Sequence, residues 1–126
     1  TLCASDPNAC LKRFALLCSQ GSAQARQLSR QLQASVQVEE LVGALAGLDL
    51  LAQLDNRHAI SVFNGRQLHL FAEADALIPS FAAHALRELN AQATVEVLGQ
   101  SHASVVAEPQ LLTQRIVAFI KGGTHV

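Results

Sequence analysis

The sequence predicts an α/β fold, with a helical segment over residues 1–54 and a strand–helix–strand–helix unit with parallel strands over residues 55–126. Three observations predict it. Apolar residues recur at helical spacing from Leu11 to Leu48. Two short runs, Gln67 to Phe71 and Thr94 to Leu98, have strand character. A helical stretch follows each run, one opening at Pro79 or Ser80 and the other at Pro109. Strands alternating with helices at this spacing form a parallel unit.

The first helix is capped by Ser5 or Asp6, with Pro7 at the first helical position, where its missing N–H costs nothing. Leu11, Phe14, Leu17 and Cys18 follow at helical spacing, and Gly21 ends the helix. Ser22 starts a second helix with Ala25, Leu28 and Leu32 on its apolar side and Arg26 and Arg30 together on another face. A third carries Val38, Leu41, Val42, Leu45 and Leu48. Its Gly43 and Gly47 lower helix propensity by about 1 kcal/mol each, so a close packing contact is expected there. Residues 55 to 67 read as a connector in which Ile60 to Phe63 forms a weak strand. After the first strand, the helix to Leu89 places Phe81, Ala85 and Leu89 on one side. The last helix turns Leu112, Ile116, Phe119 and Ile120 inward and stops at Lys121-Gly122-Gly123. Parallel strands are normally buried on both faces, and two make a poor sheet, so the chain reads as the end of a larger fold.

Bulk properties exclude several classes. A chain of 126 residues that is 50% hydrophobic and 15% charged is too apolar for disorder. It has no run of about 18 uncharged apolar residues, because Gly43, Gly47, Asp49 and Gln53 interrupt the richest stretch. Asp6, Pro7, Lys12 and Arg13 stand where a signal peptide needs an apolar core. The chain opens on Thr1 and contains no methionine, which points to a start other than the natural one. Cys3, Cys10 and Cys18 form no C-x-x-C, and Cys10 and Cys18 are too far apart on one helix to bridge. This favours reduced, buried thiols and a cytoplasmic location.

The net charge of −1 hides an asymmetry. Residues 1 to 36 hold Lys12, Arg13, Arg26 and Arg30 against Asp6, a balance of +3, and the remainder carries −4. The basic part suits an acidic partner. Nucleic acid is not expected, since no Trp or Tyr is present to stack on bases. No membrane partner, cofactor or metal is expected either. The histidines form neither H-x-x-x-H nor H-E-x-x-H, and no glycine-rich phosphate loop occurs.

Asp75 and His102 carry the chemistry. Each follows a strand, and they lie 27 residues apart. Reacting groups in open α/β sheets sit just past the carboxyl ends of strands, and a parallel crossover brings both ends to one edge. A carboxylate there can orient an imidazole, whose other nitrogen takes a proton from a nucleophile. Glu73 is the alternative acid. No G-x-S-x-G occurs in the 126 residues, and Ser101, directly before His102, cannot serve as its serine.

The segment Leu68 to Pro79 resembles the strand-plus-acid motif of the α/β-hydrolase superfamily, which commonly ends G-x-x-D-x-x-V/I-P; Ala72 replaces the glycine. Gly99-Gln100-Ser101-His102-Ala103, with Glu108-Pro109, resembles the G-x-x-H segment near that fold's end. The match covers about residues 66 to 120 and implies the C-terminal part of such a hydrolase, with Asp75 as triad acid and His102 as base. Lys12 to Leu17 and Ala25 to Arg30 resemble the cap of the pimeloyl-acyl-carrier-protein methyl ester esterases of bacterial biotin synthesis. That resemblance implies a cap over residues 1–54. Arg13, Arg26 and Arg30 would meet an acidic carrier protein, Phe14 would touch the acyl chain, and Lys12 is a weaker candidate. It implies a serine carboxylesterase whose nucleophile and oxyanion donors lie outside these residues, leaving this chain alone inactive. Two alternatives stand beside it: another α/β-hydrolase acting on short esters, by haloperoxidase-like chemistry or on C–C bonds, and a non-catalytic module that self-associates through its sheet edge.

Overall fold

Asp6 opens helix α1 (Pro7–Ser19): its carboxylate accepts from the Ala9 N–H at 3.0 Å. In the computed structural model, which describes residues 5–36 and 41–122, six further helices and two strands follow. They are α2 (Ala25–Ala34), α3 (Leu41–Gln53), α4 (Arg57–Val62), β1 (Leu68–Phe71), α5 (Ala82–Leu89), β2 (Thr94–Val97), α6 (Ser104–Ala107) and α7 (Pro109–Ile120). Val38, Gly123 and His125 fall outside the described residues, as do the side chains of Leu41, Val42 and Leu45.

α1 ends as its sequence dictates, with Gly21 at φ +95°, a conformation that costs glycine little. A tight turn held by Ser22 precedes α2, which therefore starts at Ala25 rather than at Ser22. The two helices pack against each other as a hairpin. Ala15 and Cys18 of α1 and Leu28 of α2 are buried.

β1 and β2 pair in parallel, with Leu68 opposite Thr94 and Phe71 opposite Val97. The mixture of helices with a parallel pair is α/β, as the strand–helix alternation predicts. α5 crosses between the strands and packs on β2, burying Ala83, while Phe81 and Ala85 face solvent. Arg87 reaches from α5 to donate to the Val95 carbonyl at 2.8 Å. Among the described strand residues only Val95 is buried, because the two strands have no third strand among the described residues to flank either of them.

Several expectations are corrected. Ile60 to Phe63 forms no strand, for Ile60 to Val62 close helix α4. Asp55 starts that turn by accepting from the Arg57 backbone and guanidinium, and local capping overrides β-propensity where no partner strand lies alongside. Gly43 and Gly47 show no close packing contact among the described residues, where nothing lies within 4 Å of where a Cβ would stand. Leu48, Leu50 and Leu51 of the same helix are exposed.

Leu112 and Phe119 of α7 are half-buried, but Ile116 and Ile120 face solvent instead of turning inward. Two strands about 4.8 Å apart are too narrow to cover a helix roughly 10 Å wide. Polar contacts tether α7 instead. Arg115 forms a two-pronged ion pair with Glu96 of β2, and the Arg66 guanidinium lies 4.4 Å from the centre of the Phe119 ring.

Cys18 is a free, buried thiol as expected, but Cys10 is disulfide-bonded, so not every thiol is reduced. An odd count of three leaves room for one pair and one free thiol. No described helix is long and apolar enough to cross a membrane. The chain exposes 8946 Å², whereas a compact monomer of 13.4 kDa exposes about 6500 Å².

Candidate active site

The parallel register is what brings the acid to the base. Past the strands the two loops keep pairing. Leu98 N–H donates to Phe71 O at 2.6 Å, Glu73 N–H to Gly99 O at 3.0 Å, and Ala74 N–H to Gln100 O at 3.0 Å. The chains therefore leave the sheet side by side, and Asp75 follows Ala74 directly while His102 stands two residues past Gln100.

Asp75 Oδ2 lies 3.0 Å from His102 Nδ1, with the Asp75 side chain 8% exposed and that of His102 38% exposed. The other carboxylate oxygen, Oδ1, accepts from the backbone N–H groups of Leu77 and Ile78, both at 2.8 Å. Asp75 thus closes its own turn with one oxygen and holds the imidazole with the other. Burial works to raise its carboxyl pKa. The N–H groups of Ile78 and Leu77 and the imidazole outweigh burial, and the group is held below the usual carboxylate value. An ionised, oriented carboxylate favours the proton on Nδ1 and leaves Nε2 as the nitrogen free to accept one. His102 lines a pocket of about 270 Å³ whose walls include Leu70, Ala72, Ile78, Leu98, Val105 and Leu112.

Glu73, the alternative acid, is exposed, and its backbone N–H joins the two loops. Ser101 is 1% exposed, and its hydroxyl has no hydrogen-bond partner among the described residues, so it is no exposed nucleophile. His69 is half-buried beside Gln67, and His84 pairs with Glu88 along α5 at 3.4 Å. Among the described residues no group of three His, Cys, Asp or Glu side chains could hold a metal ion.

The α1–α2 hairpin is built into this site. Ala103 N–H donates to the Cys18 carbonyl at 3.0 Å, and Ala23 N–H donates to the Gln100 side chain at 2.9 Å. Cys18, Leu28 and Ala103 form one buried cluster, with Leu32 and Leu77 packed against it. The cluster thus joins both helices to the residues flanking Asp75 and His102. Burial raises the Cys18 thiol pKa, and the Asp75 charge adds to the rise against an opposing backbone hydrogen bond, so the thiol stays protonated and unreactive.

Periodicity missed Gly21, Ser104 and the carboxylate of Glu108. Gly21 reads as an ordinary helix stop, and its contact with the acid loop appears only in three dimensions. Arg13, Arg26 and Arg30 are all exposed on the hairpin, and Phe14 is 49% exposed. None of these four is in hydrogen-bond contact with the Asp75–His102 pair.

No family model matches the chain. Among curated proteins it is 41% identical to the biotin biosynthesis bifunctional protein BioHC of Cellvibrio japonicus, over 92% of this chain and 23% of that protein. It is 29% identical to the pimeloyl-[acyl-carrier protein] methyl ester esterase of Vibrio cholerae, over 86% of this chain and 44% of that protein. Against the esterase of the same name from Aeromonas hydrophila it is 30% identical, over 93% of this chain and 48% of that protein. The chain therefore spans less than half the length of each of these relatives. Over most of its length, then, the chain is homologous to BioHC proteins and to pimeloyl-[acyl-carrier protein] methyl ester esterases, as its resemblance implies.

Proposed function

We propose that this chain supplies the acid–base arm and the cap of a serine carboxylesterase that hydrolyses the methyl ester of a pimeloyl-acyl-carrier protein in biotin synthesis. The observation that carries the reading is the 3.0 Å contact between Asp75 Oδ2 and His102 Nδ1, on a chain similar to proteins bearing that esterase's name. In this reading residues 55–126 are the C-terminal part of an α/β-hydrolase core, residues 1–54 are its cap, and the enzyme works in the cytoplasm.

The chemistry follows from the pair. A serine hydroxyl attacks the ester carbonyl, and His102 Nε2 takes its proton. Asp75 stays ionised and stabilises the imidazolium. As the tetrahedral intermediate collapses, Nε2 returns the proton to the departing methanol. Water then repeats the sequence on the acyl-enzyme and releases the acid. The serine and the oxyanion donors come from outside these 126 residues, and this chain alone is inactive.

On the cap, Arg13, Arg26 and Arg30 meet the acidic carrier and Phe14 touches the acyl chain. Their exposure and the positive balance of residues 1–36 support this. The unpaired side of β1 among the described residues, and about 2400 Å² of surface beyond a compact monomer's, support a chain that works as part of a larger sheet. The same features favour a second reading, a non-catalytic module that self-associates. Light scattering on the chain and methanol release from a pimeloyl-carrier methyl ester separate the two. The assay uses the chain co-expressed with the portion of the Vibrio cholerae relative that it does not match. Turnover supports the esterase, whereas a stable dimer without turnover supports the module.

A further inference from the structure

Glu108 stands at the N-cap of α7, yet its side chain makes no capping bond to that helix. The carboxylate reaches back to the loop that carries His102. Glu108 Oε2 accepts from the Gln100 N–H at 2.9 Å and from the Ser104 hydroxyl at 2.9 Å. Ser104 Oγ in turn accepts from the Gln100 N–H at 2.9 Å and from the Ser101 N–H at 3.0 Å. Both N–H groups immediately before His102 thus end on one anchored pair of oxygens.

The clasp is tight, and its centre is buried. Ser104 is 4% exposed. Gly99 enters the loop at φ +95°, and a Cβ there would stand 2.6 Å from Ser104 Oγ and 3.4 Å from Glu108 Oε2. Bonds to an ionised acceptor are shorter and stronger than neutral ones, which suits a loop that must hold an imidazole in one orientation. Bonds that brace the backbone beside an imidazole fix the ring's tautomer and aim.

We propose that Glu108, acting through Ser104, is the positioning residue of His102: it locks the loop so that the imidazole presents Nδ1 to Asp75 and Nε2 to the pocket. This rests on the reading of His102 as the base. It adds a residue that makes no contact with the acid–base pair but sets its geometry.

The test reads the ring itself rather than turnover. Long-range proton–nitrogen spectra of the nitrogen-15-labelled full chain at about pH 8, where a free imidazole is neutral, report which nitrogen of His102 bears the proton. The unmodified chain should show the Nδ1–H tautomer alone. Asp75→Asn is the reference for a ring that has lost its ionised acceptor. Glu108→Ala should give a mixture in which Nε2–H appears. Glu108→Gln retains an acceptor oxygen and should restore the single form.

A folded Glu108→Ala chain with the unmodified tautomer overturns the proposal. Should that variant fail to fold, Ser104→Ala decides in its place, with a mixed tautomer supporting the clasp and an unchanged one overturning it. Turnover plays no part in the readout. A failed esterase assay therefore leaves the positioning role standing, and a failed tautomer test leaves the esterase reading standing.

Discussion

Gly21 lies against Ala74, so close that a Cβ on the glycine would stand 2.6 Å from the Ala74 Cβ and 2.7 Å from its carbonyl oxygen. The same imagined Cβ would stand 2.9 Å from the Gln100 carbonyl oxygen. The turn between α1 and α2 is therefore wedged between the acid loop and the histidine loop. A turn far from the sheet in sequence thus packs against both loops that carry the pair.

Replacing Gly21 by alanine should accordingly do more than strain a turn. The positive φ alone makes the substitution unfavourable by more than about 1 kcal/mol, and the backbone oxygens on either side cannot swing aside as a flexible side chain would. We expect Gly21→Ala to lower the unfolding midpoint and to loosen the Asp75–His102 contact. Chemical denaturation measures the first, and an unchanged midpoint would contradict the wedge.

Asp75 should give stability a pH dependence of known sign. Its carboxyl pKa is held below the ordinary carboxylate value in the folded chain. Its contribution is then fully present above the unfolded value and is lost as pH falls through the lower folded value. Thermal melts of the chain and of Asp75→Asn should differ by a constant amount above about pH 5 and converge in acid. A difference that grows on acidification would reverse the sign and refute the bonding pattern.

Under the proposed chemistry, Asp75→Asn should lower ester turnover by about 10⁴-fold in the assembled enzyme, by analogy with triads in which the acid only orients the base. His102→Ala should be at least as severe. Steady-state methanol release measures both, and near-normal turnover in the Asn variant would remove Asp75 from the mechanism.

The arginines make a separable prediction. Replacing Arg26 and Arg30 together by alanine should weaken turnover of the carrier-linked ester on the order of tenfold, since each exposed ion pair contributes up to about 1 kcal/mol. Hydrolysis of a small soluble ester should not change. The loss should shrink at high salt, where surface charges are screened. An equal loss on both substrates would place these arginines in the stability of α2 instead of on a docking face.

Locally encoded features were the legible ones. Asp6 and Pro7 open a helix, Gly21 and Lys121-Gly122 mark two stops, and the runs ending at Phe71 and Val97 are strands, because capping, turn and propensity rules act over a few residues. Asp75 and His102 were legible for a similar reason: strand ends on one edge of a parallel pair must neighbour each other. The inward face assigned to Ile116 and Ile120, and the contact assigned to Gly43 and Gly47, did not hold. Periodicity shows which residues share a face and not whether anything lies opposite them.

By itself, then, the sequence determined the order of helices and strands, the placement of the acid and the base at adjacent strand ends, and the kinship with the biotin-synthesis esterases. Tertiary structure alone decided which contacts surround that pair's loops: Gly21 against Ala74, the Ala103 N–H on the Cys18 carbonyl, and the Glu108 carboxylate turned from its own helix onto the histidine loop. These contacts join residues up to 85 positions apart. No local rule encodes them, because each depends on where packing brings two distant surfaces together.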